Sequence, residues 1–202
     1  MKNKGCMSAG TIGIALVVIA AVLFFWGKNS YNSFVVSEQK VNAKWSNVET
    51  VYQKRANLIP NLERTVKSYA QFEQETLTNV IEARSKATSI TVDPTNMTEA
   101  DMAKFQAAQG ELSGALSRLM AVVEQYPNLK ADQQYMNFQR EYTAIENSIR
   151  AETVTYNGSV EEYNNLVKTF PNNILAGLFN KSEKPYFKAQ AGAEQAPEVF
   201  TE

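Results

Sequence analysis

An uncharged apolar run near the N-terminus places the strongest constraint on this chain. Lys4 and Lys28 bracket 23 residues without a charged side chain, and most of those between Thr11 and Trp26 are apolar. As a helix rising about 1.5 Å per residue, the run is about 34 Å long, enough to cross the ~30 Å hydrocarbon core of a bilayer. The sequence therefore predicts a transmembrane helix that contacts the lipid bilayer through residues 8–27.

The exit of this run favours an uncleaved anchor over a cleaved signal peptide. Signal peptidase requires small residues just before its cleavage site, whereas this run ends in Phe24, Phe25 and Trp26. An indole here suits the headgroup boundary, where its ring is buried and its N–H stays hydrated. Cys6 precedes the apolar stretch between Thr11 and Trp26 and is therefore not placed for lipidation, which would need it just after that stretch. We expect it to be a reduced thiol near the cytoplasmic face.

The charges on the two sides of the run predict its orientation. The segment before it carries Lys2, Lys4 and the α-amino group, whereas all 21 acidic residues of the chain follow the run. Because basic residues stay on the cytoplasmic side, we expect a single-pass protein with a cytoplasmic N-terminus. The remainder of the chain, after about residue 30, then lies outside the cytoplasm.

Beyond the anchor, apolar residues recur at alternating steps of three and four, a pattern typical of antiparallel bundles and coiled coils. No stretch shows the two-residue period of a half-buried strand. The fold class is therefore all-α, with the N-terminal transmembrane helix followed by an antiparallel up-and-down four-helix bundle. The four predicted helices cover residues 31–57, 60–88, 98–126 and 132–170.

Local signals set the ends of these helices. The segment Thr98–Asp101 has the spacing of a capping box, and Asp132 can cap the last helix. Pro60 is ambiguous, because the apolar phase continues through it. We expect a break there, since an unbroken helix over 31–88 would be about 87 Å long and would leave its partners too short. Proline at the first position of a new helix costs little.

These features predict three regions. Residues 1–30 form a cytoplasmic tip and transmembrane anchor, and residues 31–178 form the bundle. Residues 179–202 form a C-terminal tail that contains Pro185-Tyr-Phe187 and Phe200. We expect this tail to dock weakly through its aromatic residues or to remain flexible.

The pattern Tyr-Asn-x-x-Val occurs three times, beginning at Tyr31, Tyr156 and Tyr163. The last two lie one heptad apart, so their tyrosines lie on the same helix face, and each is followed by an asparagine, Asn157 or Asn164. In an antiparallel four-helix bundle, the start of the first helix and the end of the last lie at the same, membrane-proximal end. We expect a tyrosine–amide layer there, structural or facing a partner, unless the repeat arose by chance.

Several charged residues interrupt positions that are otherwise apolar. They are Arg55, Glu73 and Glu152, with Arg84 and Glu146 nearby. Burying an unpaired charge costs several kcal/mol, so each must reach water or meet an opposite charge. We expect Arg55 or Arg84 to pair with a glutamate of the last helix and so fix the helix register. Exposure through imperfect phase and catalytic use of the pair are the alternatives.

The composition excludes the common catalytic and metal-binding sites. The chain has no histidine and one cysteine, so a histidine-based triad, the usual zinc sites and the di-iron site of helical bundles cannot be assembled. Its 20 basic and 21 acidic residues nearly cancel, so no basic field indicates nucleic acid. We expect no enzyme activity, no catalytic, cofactor-binding or metal-binding residue, and no nucleic-acid partner.

Several motifs together resemble the LemA family of bacterial membrane proteins. The most specific is Arg55-Ala-Asn-Leu-Ile-Pro-Asn-Leu62. The others are Thr65-Val-Lys-Ser-Tyr-Ala70, Glu73, Ala83-Arg84, Phe138-Gln-Arg-Glu141, Glu146-Asn147, the Tyr-Asn pairs and Phe170-Pro171. The resemblance covers residues 28 to about 178. The family usually carries an arginine-rich step before the first Tyr-Asn pair of the last helix, where this chain has Ala151-Glu-Thr-Val-Thr155.

The resemblance implies an extracytoplasmic four-helix bundle on one anchor in the bacterial inner membrane, without an established biochemical activity. We therefore expect a non-enzymatic interaction or adaptor module of the cell envelope with a protein partner. The alternative is a ligand-sensing bundle that signals through a membrane partner. The residues expected to act in structure or partner contact are Arg55, Pro60, Asn61, Glu73, Arg84, Glu146, Asn147, Glu152, Tyr156, Asn157, Tyr163 and Asn164.

Overall fold

The computed structural model describes residues 9–69 and 72–188. These residues form six helices and no strand: α1 (Ala9–Lys67), α2 (Gln74–Ser89), α3 (Glu99–Val123), α4 (Pro127–Lys130), α5 (Gln133–Lys168) and α6 (Asn172–Leu178). The prediction of an all-α fold is confirmed. Two predictions lie outside the described residues, namely the cytoplasmic tip with Cys6 and the tail beyond Lys188 with Phe200.

One helix of 59 residues, α1, contains both the N-terminal apolar run and the first rod of the bundle. The predicted break at Asn57–Pro60 is wrong, because α1 continues through the proline to Lys67. The helix predicted over 60–88 is consequently divided between α1 and α2. Ile59 and Leu62, on either side of the proline, are each 1% exposed. Their burial in one core holds the helix together where the proline lacks an N–H group.

The other two predicted helices have nearly the expected ends because their caps are local. The helices α3 and α5 match the predictions 98–126 and 132–170 to within three residues at each end. Thr98 and Asp101 form a complete capping box at the start of α3. Asp132 accepts hydrogen bonds from two backbone N–H groups at the start of α5. Each cap satisfies helix N–H groups that would otherwise lack a partner.

The long helices α1 and α5 pack along each other and run antiparallel. Contacts of Ser30 with Asn172 and of Asn47 with Glu152 show this direction. The helices α2 and α3 form a second pair, and the short α4 connects α3 to α5. Because α2 has 16 residues and α5 has 36, α2 lies beside only one half of the long pair.

The unequal helix lengths divide the buried residues into two clusters. The distal core includes Leu62, Val80, Leu116, Leu119 and Tyr135 and receives residues from α1 to α5. The proximal core includes Phe34, Trp45, Phe105, Tyr156 and Tyr163. We call it proximal because its part of α1 adjoins the N-terminal apolar run.

Two non-helical segments complete the proximal core. The segment between α2 and α3 contributes Val92 and Met97, which are 6% and 7% exposed. The segment after α6, which we call the tail segment, consists of residues 181–188. It buries Lys184 and Pro185, and Phe187 packs against the proximal core. These segments occupy the half of the bundle that α2 does not reach.

The N-terminal part of α1 projects beyond the bundle. Residues 10–25 are all exposed, and they include apolar side chains such as Ile14, Leu16 and Phe24 at 62–68% exposure. Among the described helices, α1 is the one long and apolar enough to cross a membrane. It therefore has the length and the exposed apolar surface that the predicted transmembrane anchor requires.

Candidate functional site

The tail segment lies in a groove whose polar contacts are made by side-chain amides of the bundle. Asn164 forms two hydrogen bonds with the main chain of Lys184: its Nδ2 donates to the carbonyl (2.9 Å) and its Oδ1 accepts from the N–H (2.8 Å). Asn157 forms the same pair with Phe187, at 3.0 and 2.9 Å. Both asparagines therefore bind the tail segment through its backbone.

The asparagine spacing matches the repeat of an extended chain. Seven residues of α-helix rise about 10.5 Å, and three residues of extended or polyproline chain span about 9–10 Å. Pro185 fixes its own φ and restricts Lys184 to extended conformations. Gln106 of α3 adds a third pair of contacts with Lys188, donating to its carbonyl (2.9 Å) and accepting from its N–H (3.5 Å). We call this site the amide groove, defined by Gln106, Asn157 and Asn164.

Aromatic side chains form the apolar part of the groove. The ring centroid of Phe187 lies 5.8 Å from that of Trp45 and 5.5 Å from that of Tyr156. The Tyr156 hydroxyl donates to the carbonyl of Pro185 (3.1 Å). Burial raises the pKa of Tyr156 well above its ordinary value, so its hydroxyl keeps the proton that it donates.

A buried lysine anchors the tail segment at the other end. The side chain of Lys184 is 6% exposed, and its Nζ lies 3.0 Å from Glu38 Oε1. Its ammonium also donates to the carbonyls of Pro94 (3.4 Å) and Thr95 (2.5 Å), and Lys181 donates to Glu38 Oε2 (2.5 Å). Burial raises the pKa of Glu38, but the hydrogen bonds and charges of the two lysines lower it by more. The pKa of Glu38 is therefore below its ordinary value. The buried charge is therefore compensated.

The junction between the two cores contains a buried arginine. Arg55 is 2% exposed, and its Nη1 donates to Glu146 Oε1 (3.0 Å) and to Ser113 Oγ (2.6 Å). Its Nη2 donates to the carbonyl (3.1 Å) and to the side-chain oxygen (2.5 Å) of Gln109. Of the two arginines considered from the sequence, the structure thus brings Arg55 together with a glutamate of α5. The contact fixes α1 against α3 and α5.

Arg84 makes a different contact. Pro60 has no N–H group and cannot donate to the carbonyl of Ala56 one turn earlier. Arg84 Nε donates to that carbonyl from α2, at 2.9 Å. A side chain of the neighbouring helix therefore satisfies the acceptor that the proline leaves open, and the same bond joins α1 to α2.

The remaining motif residues lie at the bundle surface. Asn61, Glu73 and Asn147 are exposed, and Glu152 is partly exposed. Glu152 accepts a hydrogen bond from Asn47 of α1 (3.3 Å). None of these four candidates touches the tail segment among the described contacts.

The sequence indicated the tyrosines and asparagines of α5 but not the groove that they form. Tyr156 and Tyr163 are each 1% exposed, whereas Tyr31 of the same motif is 44% exposed. The sequence analysis missed Glu38, Gln106 and Lys184. Of these three residues, Glu38 could have been found from the sequence, because it interrupts the apolar pattern of the first bundle helix.

The groove holds a segment of the same chain by hydrogen bonds to its main-chain groups, as sites that bind extended peptides do. Burial also raises the pKa of Tyr163 to about 12, with a smaller contribution from Glu38. The groove's tyrosines are therefore neutral at physiological pH. Within the described residues, no group of three or more His, Cys, Asp or Glu side chains could hold a metal ion.

The structure combines an all-α bundle with an apolar helix that projects from it and is long enough to cross a membrane. This architecture is typical of membrane-anchored helical proteins. The sequence model of the LemA family matches residues 44–200, and the chain belongs to this family. The resemblance seen in the sequence motifs is thereby confirmed.

Curated relatives are 25–26% identical to this chain over the aligned regions. Magnetosome protein MamQ 2 of Paramagnetospirillum magneticum is 26% identical over 192 residues, which cover 85% of this chain and 71% of that protein. Magnetosome protein MamQ of Magnetospirillum gryphiswaldense is 25% identical, and the alignment covers the same percentages of the two chains. Protein LemA of Metamycoplasma hominis is 26% identical over 173 residues, which cover 86% of this chain and 75% of that protein. None of these names denotes an enzyme.

Proposed function

We propose that this protein is a non-enzymatic interaction module of the bacterial envelope, anchored in the inner membrane. Its N-terminus lies in the cytoplasm and its bundle on the periplasmic or extracellular side. The exposed apolar part of α1 supports the anchor. The basic residues Lys2 and Lys4, with no acidic residue before the run, support the orientation.

The interaction site is the amide groove, and its ligand is an extended segment of a partner protein. The observation that carries this proposal is the set of six main-chain hydrogen bonds made by Gln106, Asn157 and Asn164. Such bonds recognise an extended backbone, while side-chain pockets add specificity. The pockets fit a lysine followed by proline and, three residues after the lysine, an aromatic residue.

The tail segment is the resident occupant that such a partner displaces. Its residues Ser182 and Glu183, near α6, are both exposed, and Lys188 at its end is also exposed. The contacts of these eight residues are a small part of those that hold the bundle, so the segment opens locally at a lower free energy than the whole bundle. Release of this segment uncovers the groove without unfolding the helices.

Peptide binding to the full-length protein tests the groove. The double substitution Lys184→Ala and Phe187→Ala disengages the tail segment, and a fluorescent peptide Lys-Ser-Glu-Lys-Pro-Tyr-Phe-Lys is then titrated in detergent. We expect this peptide to bind at least tenfold more tightly to the double variant than to the unaltered protein. Adding Asn157→Ala and Asn164→Ala should abolish binding.

A scrambled peptide of the same composition is the matched control. Circular dichroism establishes that each variant retains its helices. Absence of binding to a helical double variant, or equal binding of the scrambled peptide, would overturn the proposed site.

Thiol labelling tests the orientation. Intact cells are treated with a membrane-impermeant maleimide, using either the native Cys6 or a Cys6→Ser variant that carries Ser85→Cys. Ser85 is exposed on α2, so we expect its replacement to react from outside. Cys6 should react only after the membrane is permeabilised. The opposite pattern would refute the orientation.

A further inference from the structure

The short helix α6 carries an exposed apolar surface. Residues 169–180, which include α6, contain no charged side chain. Phe170, Ile174 and Leu178 are 80%, 60% and 75% exposed, and each is four residues from the next. Ile174 and Leu178 therefore lie on one face of α6, and Phe170 lies two residues before the start of the helix. We call these three residues the α6 stripe.

Contacts with α1 fix the position of α6 relative to the membrane anchor. Ser30 Oγ donates to Asn172 Oδ1 (3.1 Å), and the rings of Tyr31 and Phe179 lie 5.0 Å apart. Ser30 is four residues beyond Trp26, about 6 Å along the helix. Trp26 suits the boundary of the hydrocarbon core, and the headgroup layer outside that core is about 5–8 Å thick. The helix α6 therefore lies at the level of the headgroups.

We propose that the α6 stripe is a second membrane-contact surface, which inserts into the same leaflet that α1 leaves. The occupant is the lipid bilayer, because Ser30, which contacts α6, lies only about 6 Å along α1 from Trp26 at the end of the apolar run. An apolar helix face at a membrane surface is buried about 5–10 Å into the boundary between headgroups and acyl chains. The opposite face of α6, with Leu175 and Ala176, packs into the proximal core.

This contact gives the bundle two attachments to the bilayer instead of one. The α1 anchor alone allows rotation about its own axis, whereas the α6 stripe, displaced to one side of α1, fixes which face of the bundle points toward the membrane. The inference rests on the anchor of the proposed function. It is independent of the side on which the bundle lies and of any ligand in the amide groove.

Fluorescence of the full-length protein in lipid nanodiscs tests this contact. Leu178→Cys in a Cys6→Ser background is labelled with the environment-sensitive dye NBD. The matched control is Val154→Cys, an apolar residue of α5 that is 67% exposed. We expect blue-shifted emission at position 178 and at least twofold quenching by nitroxide-labelled lipid, whereas position 154 should show neither effect.

A second variant separates insertion from mere proximity. A label at Phe170→Cys should be quenched in the same way, and quenching should decrease at least twofold when Ile174→Asn and Leu178→Asn are added. Undiminished quenching in that variant would overturn the proposal. Blue-shifted emission without lipid quenching would indicate contact with protein and would also overturn it. Neither failure affects the thiol-labelling or peptide-binding results, which measure different surfaces.

Discussion

The distal half of the bundle is closed by helices, whereas the proximal half is closed largely by irregular chain. In the distal half, α1, α2, α3 and α5 bury leucine, valine and alanine side chains among a few aromatic rings. In the proximal half, the segment before α3 and the tail segment occupy the place that α2 does not reach. The two halves therefore satisfy their main-chain polar groups by different means.

The difference explains why amides and a buried lysine gather in one half. A helix pairs its own N–H and C=O groups, but a buried irregular segment must find partners elsewhere. Asn157, Asn164 and Gln106 supply these partners for the tail segment. The distal half needs no such set, and there the one main-chain acceptor left open by Pro60 receives Arg84. The buried polar side chains therefore gather where the helices end and irregular chain completes the core.

The largest effect is expected from opening the proximal core at Trp45→Ala. Trp45 is fully buried and contacts the rings of Phe105 and Tyr156 at 5.1 and 5.6 Å. Removing a buried indole should lower the free energy of unfolding by about 3–5 kcal/mol, measured by denaturant titration with circular dichroism. Val36→Ala on the same helix, where Val36 is 70% exposed, should change it by less than about 0.5 kcal/mol. Equal effects would contradict the assignment of Trp45 to the core.

The next effect concerns the junction between the halves. Glu146→Ala leaves the buried charge of Arg55 without its carboxylate and should cost about 3 kcal/mol. In an Arg55→Met background the same change should cost less than half as much, because no charge remains to be paired. The matched control is Glu141→Ala, an exposed residue of α5. Equal costs in the two backgrounds would show that the ion pair does not contribute.

A smaller effect should appear in the distal half when Arg84 is replaced by methionine. The carbonyl of Ala56 then loses its donor, and an unsatisfied acceptor costs about 2 kcal/mol. Pro60→Ala restores the main-chain N–H, so Arg84→Met should cost less than about 1 kcal/mol in that background. Thermal melts of the four proteins measure this coupling. An unchanged cost would mean that Arg84 stabilises the bundle by other contacts.

Replacing one amide side chain of the groove should increase hydrogen exchange in the proximal half alone. Asn164→Ala deletes two hydrogen bonds to Lys184 and should cost about 1–2 kcal/mol. Hydrogen exchange should then accelerate in the tail segment and remain unchanged in α2. Asn147→Ala, an exposed residue of the same helix, is the control. Acceleration in both regions would indicate that the two halves do not respond separately.

The smallest effect is expected from pH. The pKa of Glu38 lies below its ordinary value of 4.5 because its ion pairs with Lys181 and Lys184 outweigh burial. A lowered pKa contributes stability above pH 4.5 that is lost as the pH falls through the folded-state pKa. In a Trp26→Phe protein, the emission of Trp45, which stacks on Phe187, should report release of the tail segment in that range. A Glu38→Gln variant should lack this transition, and its persistence would assign it to another group.

Much of the helical framework could be predicted from the sequence. The ends of α3 and α5 followed from Thr98, Asp101 and Asp132, because a cap and the N–H groups that it satisfies lie within a few residues. The end of α1 could not be predicted in this way. The cost of Pro60 within a helix depends on Arg84, which is 24 residues further along the chain.

Part of the candidate site could likewise be predicted from the sequence, and part depended on residues far apart in the chain. The heptad spacing of Tyr156 and Tyr163 placed these tyrosines on one helix face. The segment that the following asparagines bind lies in the tail, where the sequence has no periodic apolar pattern. From the sequence, either Arg55 or Arg84 could have paired with a glutamate of the last helix. Only the register of α1 against α5 placed Glu146 beside the first of them.

The sequence by itself determined the long N-terminal apolar helix, the helical class and the ends of α3 and α5, because apolar length, periodicity and capping are encoded by residues close together in the chain. The tertiary structure alone decided the continuity of α1, the partners of Arg55 and Arg84, and the docking of the tail segment between α3 and α5. Those contacts join residues far apart in the chain. Their energies depend on which segments the unequal helix lengths bring together, and local patterns do not contain that information.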